Sequence, residues 1–293
     1  MRPCLFACDL HGKIGRYARL FESIERERPM AVFLGGDLLP GQFAKLVQPS
    51  AGYADFIRDV MATGFERLRD QLVEDYPSVF LILGNDDPRF YEPVVLSVAA
   101  QGLWKYAHDR QIGLGSFAVY GYSYVPPTPF LWKDWERYDV SRYVDPGCVS
   151  PEEGQRSFPV PEHEAKYATI REDLECLAGD DDLEHAIFLF HTPPYRTNLD
   201  RAALDGQKVD HVPLDVNVGS FAVRRFLEAR QPLLSLHGHV HESARLTGSW
   251  QDRLGRTILL SAAHDGPELA LVRFDLDELE RASRTLLPVD KAS

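Results

Sequence analysis

Asp9-Leu10-His11, Gly36-Asp37, Gly84-Asn85, His191 and Gly238-His239-Val240-His241 are short polar clusters, each placed just after an apolar run that reads as a buried β-strand. Carboxylates, a side-chain amide and imidazoles are the donors that a pair of divalent cations needs, and one carboxylate can bridge two such ions about 3.5 Å apart. Alone, each cluster has a plainer explanation. Asp9 and Asp37 suit turns or helix caps, Gly84-Asn85 suits a turn, and His191 before Thr192-Pro193-Pro194 suits a loop. Their order, and their common place at strand ends, argue for one site. Asp9 and His11 lie two apart, as do His239 and His241, so extended backbone would aim each pair to one side.

The elements that must carry these residues alternate. Strands are predicted at Cys4 to Cys8, Ala31 to Leu34, Val79 to Leu83, Phe117 to Tyr120, Ala186 to Phe190, Leu233 to Leu236, Thr257 to Leu260 and Leu269 to Phe274. Helical spacing of apolar residues runs through Tyr17 to Glu27, Tyr53 to Val73, Glu164 to Leu177 and Phe221 to Leu227, the last opened by Ser220 as an N-cap. Strand–helix alternation indicates an α/β protein with helices packed on buried sheets. In such proteins ligands bind beyond the carboxyl ends of the strands, where these clusters fall.

From Tyr122 to Pro161 the pattern lapses into a segment rich in proline and aromatics, including Trp132, Trp135 and Tyr138. Disordered segments are depleted in aromatics, so this one reads as an insertion packed onto a single domain spanning residues 1–293, and as a candidate lid. A second irregular stretch, Tyr195 to Val218, joins the two histidine clusters. His264-Asp265, Asp210-His211, His163 and Asp180-Asp181-Asp182 read as solvated turns, loops or an exposed helix start.

A formal charge of -12 argues against broad binding to nucleic acid, which draws its affinity from lysine and arginine. Cys4, Cys8, Cys148 and Cys176 show no disulfide framework, and Cys4 and Cys8 read as small buried hydrophobes. The apolar run that opens the chain leaves no room for a signal peptide, and no stretch is long enough to span a bilayer, so no membrane role and a cytoplasmic location are expected.

The ordered set DLH, GD, GNDD, the histidine of FHTPPY, and GHVH resembles the signature of the calcineurin-like metallophosphoesterases: DxH, GD, GNH followed by an acid, a lone H, and GHxH. The likeness spans Asp9 to His241 and is most similar to small bacterial and archaeal phosphodiesterase-type members. It implies a four-layer αββα sandwich of two facing β-sheets flanked by helices. It also implies one metal held by Asp9, His11, Asp37 and His241, and a second held by Asp37, Asn85, His191 and His239. The metals would be two divalent ions, manganese favoured, with iron, cobalt, zinc and nickel as alternatives. The implied reaction is hydrolysis of a phosphodiester or other small phosphoester by a hydroxide bridging the metals, with Asp37, Asn85 and Asp86 at the reacting centre.

Asp86 departs from the pattern, standing where many members carry a histidine that serves the leaving oxygen. A carboxyl with an ordinary pKa of about 3.9 is ionised at neutral pH and donates no proton. That disfavours alkyl monoesters and leaves the general acid unassigned. The rival readings are a phosphomonoesterase or protein phosphatase, a nuclease, and a catalytically silent member that binds another protein; the intact donor set counts against the last.

Overall fold

A computed structural model of the chain describes residues 3–41 and 56–289. In chain order its strands are β1 (Pro3–Ala7), β2 (Ala31–Gly35), β3 (Ser78–Ile82), β4 (Lys105–Tyr106), β5 (Arg110–Leu114), β6 (Phe117–Tyr122) and β7 (Ala186–Phe190). There follow β8 (Lys208–Val209), β9 (Val212–Pro213), β10 (Leu234–His237), β11 (Gln251–Leu254), β12 (Thr257–Ser261), β13 (Leu269–Asp275) and β14 (Ser283–Leu287). They form two mixed six-stranded sheets, ordered β14-β13-β1-β2-β3-β4 and β11-β12-β10-β7-β6-β5, and a small β8-β9 hairpin. Within the first sheet β1, β2, β3 and β4 run parallel. Within the second, β6, β7, β10 and β12 do.

The apolar strands are buried on both faces, as parallel strands between layers must be. Phe6, Phe33, Phe80 and Ile82 of the first sheet pack with Val119, Ile187, Leu189, Leu234, Leu236 and Leu260 of the second. Phe33 stacks on Phe80 with centroids 5.3 Å apart. The alternate residues Leu5, Val32, Leu34, Val79 and Leu81 face the helices α1 (Ile14–Glu27), α2 (Thr63–Leu72) and α3 (Glu92–Ala99). The second sheet is covered by α5 (Ile170–Ala178) and α6 (Phe221–Arg230), with the short α4 (Glu162–Tyr167) and α7 (Ser243–Thr247) completing the set. Phe226 of α6, for example, meets Phe188 at 5.0 Å. The architecture is the expected α/β sandwich of two sheets flanked by helices.

Some local expectations change. The helix read across Tyr53 to Val73 lies partly outside the described residues; from Phe56 to Ala62 it is a wider π-helical segment, and only then α-helical. The helix read across Glu164 to Leu177 is two helices, because Thr169 leaves helical backbone and caps α5 by accepting the Glu172 N–H. Ser220 caps α6 as expected, accepting the Val223 N–H at 3.0 Å. Asp210 and His211, both exposed and both with positive φ, form the two-residue turn of the β8-β9 hairpin. His163 sits exposed in the first turn of α4, and Cys4 and Cys8 are buried.

The first half of the proline-rich segment, to Asp139, is largely built into the core, and the rest lies mostly at the surface. Trp135 is fully buried and Tyr124 and Tyr138 nearly so. Asp139 adds a second cap to α6, accepting from Ser220 Oγ and the Phe221 and Ala222 N–H groups. Trp135 and Tyr124 pack on His108, whose ring lies 5.0 Å from the first and 5.3 Å from the second.

The His108 Nδ1 accepts the Ser123 N–H at 3.1 Å, a bond only the unprotonated nitrogen can make. Burial, reinforced by Arg89, Arg137 and Arg110, lowers its pKa to about 3. The folded chain therefore binds fewer protons than the unfolded one between about pH 6.5 and 3, and stability falls as pH drops through that window. At pH 5 the loss is roughly 2 kcal/mol, at about 1.4 kcal/mol per unit. His108→Phe is expected to flatten this limb when urea midpoints at pH 7 and pH 5 are compared. Equal losses in both proteins would rule the assignment out.

Candidate metal centre

The first three ligand-type clusters lie in loops after β1, β2 and β3 of the first sheet, and the histidine clusters follow β7 and β10 of the second. Parallel neighbours end at one edge, so the facing sheets bring both groups together. The extended-backbone argument for the paired spacing does not hold. Asp9, His11, Asp37 and His239 have φ of 54°, 48°, 52° and 73°, so the strands have ended and left-handed turns aim these side chains. Such backbone costs roughly 1–3 kcal/mol per non-glycine residue and clusters at functional sites.

One donor atom each from Asp9, His11, Asp37 and His241 lies within 4.8 Å of all the others. His11 Nε2 and His241 Nε2 are 3.1 Å apart, and His241 Nε2 is 3.3 Å from Asp9 Oδ1. Beside them, His191 Nε2 lies 3.0 Å from Asn85 Oδ1 and 3.3 Å from Asp37 Oδ2. The His191 and His239 rings are 5.2 Å apart. Asp86 stands at the rim, its side chain 39% exposed and its Oδ2 3.4 Å from His11 Nδ1. Every residue singled out by its motif is thus in one place.

The chemistry of this cluster fits cations. His191 Nδ1 is 2.8 Å from the Gly35 carbonyl, which only an N–H can satisfy, so the neutral ring turns its Nε2 lone pair toward two oxygens that are themselves acceptors. Asp9 Oδ2 is buried with no hydrogen-bond partner. Lone pairs facing lone pairs, and an orphaned carboxylate oxygen, are what a positive ion would resolve.

Without a cation, protons take that role. Burial disfavours a charged imidazole at His11 and His191, yet Asp86, Asp37 and Asp9 at the first, and Asp37, Asp9 and the Gly35 carbonyl at the second, outweigh it and raise both to about 9. Burial likewise opposes ionisation of Asp9 and Asp37, but His241 at the first and His191 at the second hold both carboxyls below their ordinary value. His239, by contrast, is pushed down to about 3 by burial and the neighbouring His191, and stays neutral.

Two features close the site sterically. A Cβ at Gly84 would lie 2.3 Å from Asp37 Oδ1, and one at Gly36 would lie 2.6 Å from His191 Nδ1. Only glycine lets the loops approach this closely.

Motif reading missed Asp87. It is fully buried and accepts N–H groups from Leu38, Leu39 and Gly84 at 3.1, 2.7 and 2.9 Å, stapling the Asp37 loop to the Asn85 loop. The only trace in the sequence is the doubled acid of GNDD. His237, just before GHVH, does not join the cluster: its nitrogens bond Thr192 O and Ser235 Oγ. Asp265 is exposed and pairs with Arg245, whereas His264 is half-buried and pairs with Glu268.

Two facing mixed sheets whose strand ends share a carboxylate–imidazole cluster define an α/β-sandwich protein with a candidate metal centre. Residues 3–243 match the model of the calcineurin-like phosphoesterase family, and the chain belongs to it. Members of this family use divalent metals. No curated protein sequence matches the chain significantly. Among solved structures, a Thermus thermophilus protein is 16% identical, with 98% of this chain and 99% of that one covered and a TM-score of 0.56. Another is 14% identical over 98% and 99%, with a TM-score of 0.58. A dimetal phosphatase from Danio rerio is 14% identical over 92% and 91%, with a TM-score of 0.47. Likeness at these identities concerns the fold. Among the described residues no helix is long and apolar enough to cross a membrane.

Proposed function

We propose that this chain, acting as one domain in the cytoplasm, is a two-metal phosphoesterase that hydrolyses phosphodiesters or other small phosphoesters. The observation that carries the reading is the convergence of Asp9, His11, Asp37 and His241 donors within 4.8 Å, with His191 Nε2 3.3 Å from Asp37 Oδ2 and 3.0 Å from Asn85 Oδ1. Asp9, His11, Asp37 and His241 would hold one ion and Asp37, Asn85, His191 and His239 the other, with Asp37 shared. Bound there, two divalent cations, manganese by preference, would supply an activated water and positive charge for the phosphoryl oxygens.

The residues themselves limit the substrate. Asn85 is a neutral donor, so the centre is left less anionic than an all-carboxylate one and more receptive to phosphate. Asp86 at the rim, beside His11, offers no imidazole to protonate a departing alkoxide. Leaving groups that need little protonation are therefore favoured, which supports diesters over alkyl monoesters. Four free cysteines, two of them buried, support a reducing compartment.

The test is hydrolysis of bis-p-nitrophenyl phosphate against p-nitrophenyl phosphate, with and without added Mn²⁺. Mn²⁺-dependent cleavage that prefers the diester is expected. Preference for the monoester would move the reading to a phosphomonoesterase. Failure to cleave either by a protein that binds Mn²⁺ would favour a silent, protein-binding member.

A further inference from the structure

Arg16, in the first turn of α1, is 3% exposed, yet none of its three guanidinium contacts is to a carboxylate. Its Nη1 donates to the Asp9 carbonyl at 2.5 Å, its Nη2 to the Gly266 carbonyl at 2.5 Å, and its Nε to the Pro267 carbonyl at 3.4 Å. A guanidinium beside a buried aspartate would ordinarily take the carboxylate itself. Here it grips the main chain behind that aspartate. The Asp9 side chain remains available: Oδ1 accepts the His239 N–H at 3.1 Å, and Oδ2 is left with no partner.

The grip falls where the backbone needs it. Asp9 has φ of 54°, and its N–H is held by the Gly36 carbonyl at 2.9 Å. With its own carbonyl held by Arg16, both flanking peptides are fixed and the side-chain direction follows. The other end of the grip lies on residues 262–268, the crossover that carries the chain from β12 in the second sheet to β13 in the first. Arg284 of β14 holds the same crossover by donating to the Ala263 carbonyl at 2.5 Å, without hydrogen-bonding Asp9.

We infer that Arg16 is a positioning residue that aims the Asp9 carboxylate into the metal centre by clamping the Asp9 main chain to the inter-sheet crossover. The inference rests on the reading of Asp9 as a metal ligand. A planar fork with donors along two edges suits three carbonyls that diverge from one another, which a lysine ammonium on a single stem does not.

The test compares wild type, Arg16→Gln, Arg16→Lys and Arg284→Gln in the full chain. It reads Mn²⁺ affinity by calorimetry, the visible spectrum of the Co²⁺-loaded protein, and the melting temperature of the metal-free protein. Loss of groups that orient a ligand costs about 10–100-fold in metal affinity. Arg16→Gln is expected to lose at least about tenfold in Mn²⁺ affinity and to alter the Co²⁺ spectrum, with Arg16→Lys in between. Arg284→Gln, which loosens the same crossover, is expected to lower the melting temperature while binding Mn²⁺ as wild type does.

Should Arg16→Gln fail to fold, Arg16→Lys against Arg284→Gln carries the comparison. Wild-type affinity and spectrum in the Arg16 variants would overturn the inference, as would an equal loss of affinity in Arg284→Gln. Failure of the wild type to take up either ion would overturn the metal reading, and the inference with it.

Discussion

Asp37→Ala is expected to lower hydrolysis of bis-p-nitrophenyl phosphate by about a thousandfold or more, and to remove most of the bound metal, while the protein stays folded. The argument rests on position. Asp37 Oδ2 lies 3.3 Å from His191 Nε2, and an Asp37 oxygen is also among the donors gathered with Asp9, His11 and His241. Its carboxylate thus meets donors in both halves of the cluster. Outer groups that merely orient ligands cost about 10–100-fold when lost, so a shared ligand should cost more. The fold should survive because the substitution removes a charge held among other charges, not an apolar group from between the sheets. Its Oδ1 also accepts the Asp86 N–H at 2.8 Å, so some loosening of that loop will accompany the loss. Metal content by atomic absorption, alongside the rate, decides the matter. A variant that keeps both near wild type would end the two-metal reading.

Asp87→Ala is expected to give the largest stability loss of any single change at the site. Three amide N–H groups, from Leu38, Leu39 and Gly84, lose their acceptor in a place water does not reach. Each unsatisfied buried donor costs roughly 1–3 kcal/mol, so the total is about 3 kcal/mol or more. For a chain of this size that corresponds to a fall in melting temperature of about 5 °C or more. Burial and the nearby Asp37 raise the Asp87 carboxyl to about 7, against the opposing pull of the three amides. The isosteric Asp87→Asn, which keeps an acceptor oxygen without the charge, should therefore be milder than alanine. Activity should fall in both, since the loops carrying Asp37 and Asn85 are joined through this side chain. The idea is refuted if Asp87→Ala melts with the wild type.

Much of this is legible in one dimension. Parallel strands buried on both faces must be apolar throughout, so Ala31 to Leu34 and Ala186 to Phe190 announce themselves. Short or half-exposed elements do not. The edge strands β5 and β11 mix charged residues with few apolar ones, and neither stands out in the sequence. The break at Thr169 leaves only a short trace, the Thr169-x-x-Glu172 spacing of a helix start, which a reading by apolar periodicity passes over. Asp87 and Arg16 are hidden for another reason: their partners are backbone groups, and any residue supplies a carbonyl or an N–H.

The donor-type residues, their order along the chain and the strand ends that carry them are readable from residue order, because donor chemistry is a property of residue type and strand ends follow apolar runs. The division of the donors between two sheets, and the left-handed turns that aim them, emerge from the three-dimensional fold. It alone revealed that Asp87 and Arg16 hold the loops carrying them. Those outcomes depend on which main-chain groups meet across the sandwich, and close approach of backbone leaves no mark on the identity of the residues involved.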